Sequence, residues 1–142
     1  MDSLDVVHPQ PGELDAFWHA IERDWRSELW AFRVVWHEQT HDLAVRDGET
    51  TIGALRVRIA ASLAHVVSLY VLPAYRKHGV GRRLVARGED LANYFNCHKV
   101  TVETFHQHPA QAFFEHCGYK LEAVLPQHTF KLDVAVLRKF LL

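Results

Sequence analysis

LYVLPAYRKHGVGRRL, residues 69–84, runs from an apolar strand through a proline turn into a glycine-punctuated loop that opens a helix. Such a loop leaves several backbone N–H groups without partners at the positive end of a helix dipole, which is where phosphate binds. Gly79 and Gly81 remove side chains that would block close approach, and Arg76, Lys77, Arg82 and Arg83 supply positive charge. The pattern asks for a diphosphate. A nucleotide P-loop would need Gly, four residues, then Gly-Lys-Ser or Gly-Lys-Thr, which is absent. The dinucleotide fingerprint needs three glycines after a strand near the chain start, and only two stand here, at mid-chain.

What fits is Arg-x-x-Gly-x-Gly, Arg76 to Gly81, between a strand and a helix. It resembles the acetyl-CoA loop of the GNAT superfamily of N-acetyltransferases. A second segment, AQAFFEHCGY from Ala110 to Tyr119, is similar to the superfamily's late helix and strand, written A-x-x-F-Y-E-K-x-G-F. The resemblance covers roughly residues 41 to 142; over the first 40 it is topological. It implies an α+β, three-layer fold: a mixed central sheet of about seven strands flanked by about four helices, as one domain over residues 1–142. It also implies acetyl-CoA as cosubstrate, no metal, and acetyl transfer to a primary amine. A catalytically silent acyl-CoA-binding module and a protein N-terminal or lysine acetyltransferase are the rival readings.

Hydrophobic periodicity supplies the elements around the loop. Leu4 to Val7 reads as a short first strand, and Leu14, Phe17, Trp18, Ile21 and Trp25 repeat at helical spacing from Glu13. A second helix is expected over about 27–37, with Leu29, Phe32, Val35 and Trp36 inward. His41 to Arg46 and Thr51 to Ile59 form two strands joined at Asp47-Gly48, a hairpin signal. His65 to Leu72 feeds the phosphate loop. Val80 to Phe95 is a helix with Leu84, Val85, Leu91 and Phe95 inward, Lys99 to Phe105 a strand, Pro109 to His116 a helix. Tyr119 to Leu125 is a strand, and Val134 to Phe140 is expected to close the sheet.

Acetyl transfer to an amine needs a held thioester, a base and a proton donor for the departing thiolate. By resemblance, the main chain of Leu69, Tyr70 and Val71 holds the pantetheine arm, while their side chains pack as ordinary core. The loop residues Arg76, Lys77, His78, Gly79, Val80, Gly81 and Arg82 hold the diphosphate, and Gln107 stands where an asparagine often precedes the late helix. Two residues are candidates for the base. His65 falls where histone-type members carry a glutamate, and an imidazole titrates near working pH. Glu103 falls near the glutamate of N-terminal acetyltransferases. Their structural alternatives are a carbonyl-bonded strand histidine and a solvated carboxylate. The chain departs from the pattern at Phe114, which stands at the usual proton-donating tyrosine and has no proton to give. Tyr70, Tyr119 or water would then serve, or the thiolate leaves unassisted, or catalysis is lost.

By resemblance the acceptor site is expected between the early helices and the last hairpin, here bordered by Trp25, Trp30, Trp36 and the 126–133 connection. Tryptophans at such spacing, Trp18 included, are as readily core as cleft. His128 and Asp133 are candidates to orient an amine. A covalent acyl-cysteine route is disfavoured, since Cys97 sits at a helix end and Cys117 precedes a cap glycine.

Bulk properties set the outer bounds. At 142 residues the chain is long enough to bury a core without staples, and two cysteines make no disulfide framework. A net charge of −1 argues against nucleic acid as partner. The apolar runs fall short of the ~20 residues that span a bilayer, and the start does not read as a signal peptide. A cytoplasmic protein is therefore expected; the resemblance implies a small-molecule amine as its acceptor, and a homodimer by analogy alone. The 11 histidines lack the spacing of a zinc site and read as scattered imidazoles.

Overall fold

A computed structural model of the chain describes residues 4–28 and 38–141, with 22–28 described by main chain alone. The chain divides into an N-terminal unit, Met1–Val35, and a larger unit, Trp36–Leu142. In the first, α1 spans Asp15–Glu28. The expected strand at Leu4–Val7 is not formed, and those residues carry no regular structure. A strand exists only through a hydrogen-bonding neighbour, and none pairs with this segment among the described residues. Of the expected second helix, Ser27 and Glu28 belong to α1. The remainder, with Leu29, Phe32, Val35 and Trp36, lies outside the described residues.

The larger unit runs β1 (Gln39–Asp47), β2 (Thr50–Ala60), β3 (Leu63–Val71), a 3-10 turn (Pro73–Tyr75), α2 (Val80–Tyr94), β4 (Lys99–Phe105), α3 (Pro109–His116), β5 (Lys120–Thr129) and β6 (Leu132–Phe140). The six strands lie in the order β1-β2-β3-β4-β6-β5. Only β3 and β4 pair in parallel, which needs the α2 crossover; every other neighbour is antiparallel. The fold is the mixed α+β sheet the sequence implies. The last strand does not close an edge: β6 inserts between β4 and β5 and pairs with both. Its central place explains why Ala135 and Leu137 are fully buried.

Strand alternation puts Leu55, Val57 and Ile59 of β2 and Val100 and Val102 of β4 into one core. Onto it α2 lays Val80, Leu84, Val85, Gly88 and Ala92. Leu91 and Phe95, expected in that stripe, are only partly buried. Small residues take the centre instead, because the helix approaches closely: a Cβ on Gly88 would lie 2.5 Å from Leu55 Cδ2. Among the described residues, no helix is long and apolar enough to cross a membrane.

Candidate active site

The parallel ladder between β3 and β4 runs from Leu63 opposite Lys99 to Val66 opposite Val102, and there it stops, although both strands continue. The parting has a local cause. Against β2 the register jumps from Arg56–Ser68 to Val57–Val66, so Val67 is an extra residue in β3. Such a bulge bends its strand and re-aims the residues beyond it. Past the bulge, Leu72 N–H bonds Ile52 O at 2.8 Å. Antiparallel alternation then turns the main chain of Tyr70 to β2 as well, and leaves that of Leu69 and Val71 facing the gap. A cavity of about 1010 Å³ fills the gap. Its walls are β3 from Val66 to Val71, β4 from Val102 to Phe105, the loop and first turn of α2, and the start of α3.

The loop presents free main-chain donors at the start of α2. Lys77 and Gly79 both adopt positive φ, 65° and 81°, curling the chain so that α2 begins on Gly79 with no side-chain cap. The first main-chain bond of the helix is Arg83 N–H to Gly79 O, at 3.0 Å, so the N–H groups of Val80, Gly81 and Arg82 stay free at the dipole's positive end. Tyr75 pins the loop, donating to Asp47 Oδ2 at 2.6 Å. Arg76, Lys77, Gly79, Val80, Gly81 and Arg82 line the cavity; His78 does not. Arg76 folds back, its Nε donating to Val71 O at 2.8 Å and its guanidinium lying 5.1 Å from the Tyr70 ring centre. Gly81 is small for a packing reason too, since a Cβ there would lie 3.2 Å from Phe113 Cζ. Strand groups facing the gap, with Val71 O alone held by Arg76, and free N–H groups at its end fit an extended arm ending in a diphosphate, as in acyl-CoA.

The two candidate bases part company. Glu103 lines the cavity; His65 does not. His65 is half-buried, with Nδ1 2.8 Å from Thr101 Oγ1. Burial, then the positive charge of Arg58, holds it below the usual histidine range, while Glu103 pulls it back up. It is thus neutral and basic at neutral pH, and near enough for Glu103 to feel.

Phe114 is buried and lines the cavity, stacked edge-to-face on Phe113 and Tyr119 at centroid distances of 5.1 and 5.4 Å. Tyr119, one candidate donor, is absent from the cavity wall. Its hydroxyl donates to Glu89 Oε2 at 2.9 Å, and burial first, Glu89 second, pushes its pKa far up. It is committed to holding α2 against the sheet, with Lys139 Nζ donating to the other Glu89 oxygen at 2.9 Å. Tyr70 does line the cavity and is exposed. Gln107 does not: it sits at φ 63°, exposed, its N–H donating to Gln111 Oε1 at 2.7 Å. Burial pushes both cysteine thiols up, away from nucleophilic use.

Two residues of the wall escaped sequence reading. His108 caps α3, its Nδ1 accepting from Ala110 N–H at 3.1 Å, and Thr104 is buried on the inward face of β4. Thr104 Oγ1 and His106 Nδ1 are, among the described residues, buried polar atoms without a partner. Such an orphan costs about 1–3 kcal/mol until something bonds it. Thr104 carried a readable signal, the alternation Val100, Val102, Thr104 that points it inward. At the last hairpin, β5 and β6 reach further than expected and meet in a turn whose residues Phe130 and Lys131 both have positive φ. Asp133 Oδ1 accepts from Gln127 N–H at 2.9 Å, holding that turn, and neither it nor His128 lines the cavity. Side chains of Trp25, Trp30 and Trp36 lie outside the described residues.

A sequence model of the acetyltransferase (GNAT) family matches residues 9–119. None of the curated proteins matches the sequence. Among solved structures, an acetyltransferase from Bacillus cereus ATCC 14579 superposes with a TM-score of 0.80 at 17% identity, over 97% of this chain and 98% of its own. The ribosomal-protein-S18-alanine N-acetyltransferase from Escherichia coli gives 0.64 at 14%, over 94% and 91%. An aminoglycoside 6'-N-acetyltransferase complexed with coenzyme A gives 0.63 at 18%, over 71% and 72%. At these identities the likeness is one of fold.

Proposed function

Since the chain belongs to the GNAT acetyltransferase family, whose cosubstrate is acetyl-CoA, we propose that it acetylates a primary amine of a small molecule by direct attack within a ternary complex. The supporting observation is the gap between β3 and β4, with free N–H groups at its loop end and the Glu103 carboxylate in its wall. On this reading the coenzyme's diphosphate lies on Val80, Gly81 and Arg82, and its arm runs along Leu69 and Val71. Glu103 receives the amine's proton, directly or through one water, and neutral His65 on the adjoining strand is the second candidate.

The aminoglycoside enzyme among the fold relatives is consistent with a small-molecule acceptor, while the ribosomal-protein enzyme marks the other outcome. One observation favours a silent acyl-CoA-binding module instead, namely Phe114, which offers the departing sulfur no proton. Thiol-detected CoA release against polyamines, aminoglycosides, amino acids and short peptides separates these readings. Amine-dependent release that falls about 10²- to 10⁴-fold in Glu103→Gln is expected, the range for a lost general base. No release with any of these amines, despite bound acetyl-CoA, would leave the silent module.

A further inference from the structure

We propose that the Thr104 hydroxyl is the hydrogen-bond donor to the coenzyme's sulfur, standing in for the hydroxyl that Phe114 lacks. The inference rests on the acyl-CoA reading of the cavity. Thr104 lies on β4 two residues past Val102, the last residue paired with β3, and so stands inside the wedge where the strands part. Its side chain shares the inward face with Val100 and Val102, the face on which α3 packs. Both Thr104 and Phe114 are buried in the same cavity wall.

Other donors in that wall are engaged or outlying. Tyr75 donates to Asp47, Arg76 is turned to Val71 O, and the Thr129 hydroxyl lies 2.9 Å from His128 Nδ1. Ser68, Tyr70, Lys77, Arg82 and His108, whose ring caps α3 only as an acceptor, are solvent-exposed. Thr104 Oγ1 is buried, lines the cavity and has no partner. A buried hydroxyl without a partner is expected to find one in a ligand.

The step balances without any further reagent. The amine nitrogen attacks the thioester carbon and forms the C–N bond, while the C–S bond breaks and its electron pair stays on sulfur. The nitrogen's surplus proton passes to the base. Thr104 O–H donates to the thiolate as it forms, and solvent protonates the sulfur on release.

The test needs no acceptor. The thiol of CoA bound to the full chain is titrated by thiolate absorbance, with the ligand-free protein subtracted, in wild type, Thr104→Val and Thr104→Ser. Loss of a donor to the thiolate is expected to raise the bound thiol's pKa in Thr104→Val by about one unit, a tenfold loss of thiolate. Thr104→Ser is expected to keep the wild-type value, and Phe114→Tyr in the valine background to restore it. Equal pKa values in wild type and Thr104→Val, at unchanged CoA affinity, would overturn the proposal; so would a serine variant shifted as far as valine. Should the valine protein not fold, Thr104→Ala is read in its place. If wild type binds no CoA, the acyl-CoA reading itself fails, a separate outcome.

Discussion

At the scale of single residues, burial rather than residue type decides roles. His65 and Glu103 are both eligible as bases by position, yet one lies behind the cavity wall and the other in it. The depressed pKa of His65 gives two expectations. Its neutral form belongs to the folded state, so its contribution to stability is complete above the ordinary value of ~6.5. That contribution is lost as pH falls from there through the folded pKa. Urea midpoints measured from pH 7.5 to 5 should therefore fall more steeply for wild type than for His65→Gln. If His65 rather than Glu103 takes the proton, the acid limb of kcat/KM lies below pH 6.5 and vanishes in His65→Gln. Tyr119 provides the contrast. Tyr119→Phe removes a hydroxyl bonded to Glu89 and should cost about 1–3 kcal/mol in chemical denaturation. CoA release should stay within about twofold, because the hydroxyl is a brace and not an acid; a large loss of turnover at intact stability would reverse that assignment.

At the scale of elements, the glycines of the loop have separable duties. Gly79 holds φ 81° with nothing near its missing Cβ, so Gly79→Ala should cost about 1–2 kcal/mol from backbone strain alone. Gly81→Val adds bulk against Phe113 at a 3.2 Å contact and should weaken acetyl-CoA binding at least tenfold in calorimetry, with a smaller loss of stability. The sequence announced elements whose signals are local. Asp47-Gly48 marked the first hairpin, Pro109 the start of α3, and the apolar alternation β4. It was silent on what depends on a neighbour. The Val67 bulge is visible only as a register against β2, and the Phe130-Lys131 turn takes positive φ without the glycine that would advertise it. Leu4–Val7 erred the other way, an apolar run with nothing to pair with among the described residues. Of the site, the loop and the cavity-facing strand were legible, since close approach and free N–H groups leave a motif. The positions of His65 and Gln107 relative to the cavity were not, because side-chain exposure there follows from the splay of two strands rather than from spacing.

At the scale of the whole molecule, one feature ties sheet to chemistry: a bulge in β3 ends its ladder with β4 and opens a gap through an otherwise continuous sheet. The strand edges left there have no strand partner, and Val71 O is satisfied by Arg76 instead; a sheet tolerates such an edge only where something else satisfies it. Acetyl-CoA bound there should bridge the two strands and the α2 loop, and a ligand that binds only the folded state stabilises it by mass action. The measurement that tests this most directly is thermal unfolding of the 142-residue chain with and without acetyl-CoA. At a concentration about 100 times the dissociation constant, stability should rise by ~2.7 kcal/mol, and the midpoint by several degrees. Gly81→Val should show a markedly smaller rise. An unchanged midpoint at millimolar acetyl-CoA would mean that the gap between β3 and β4 is not a coenzyme site.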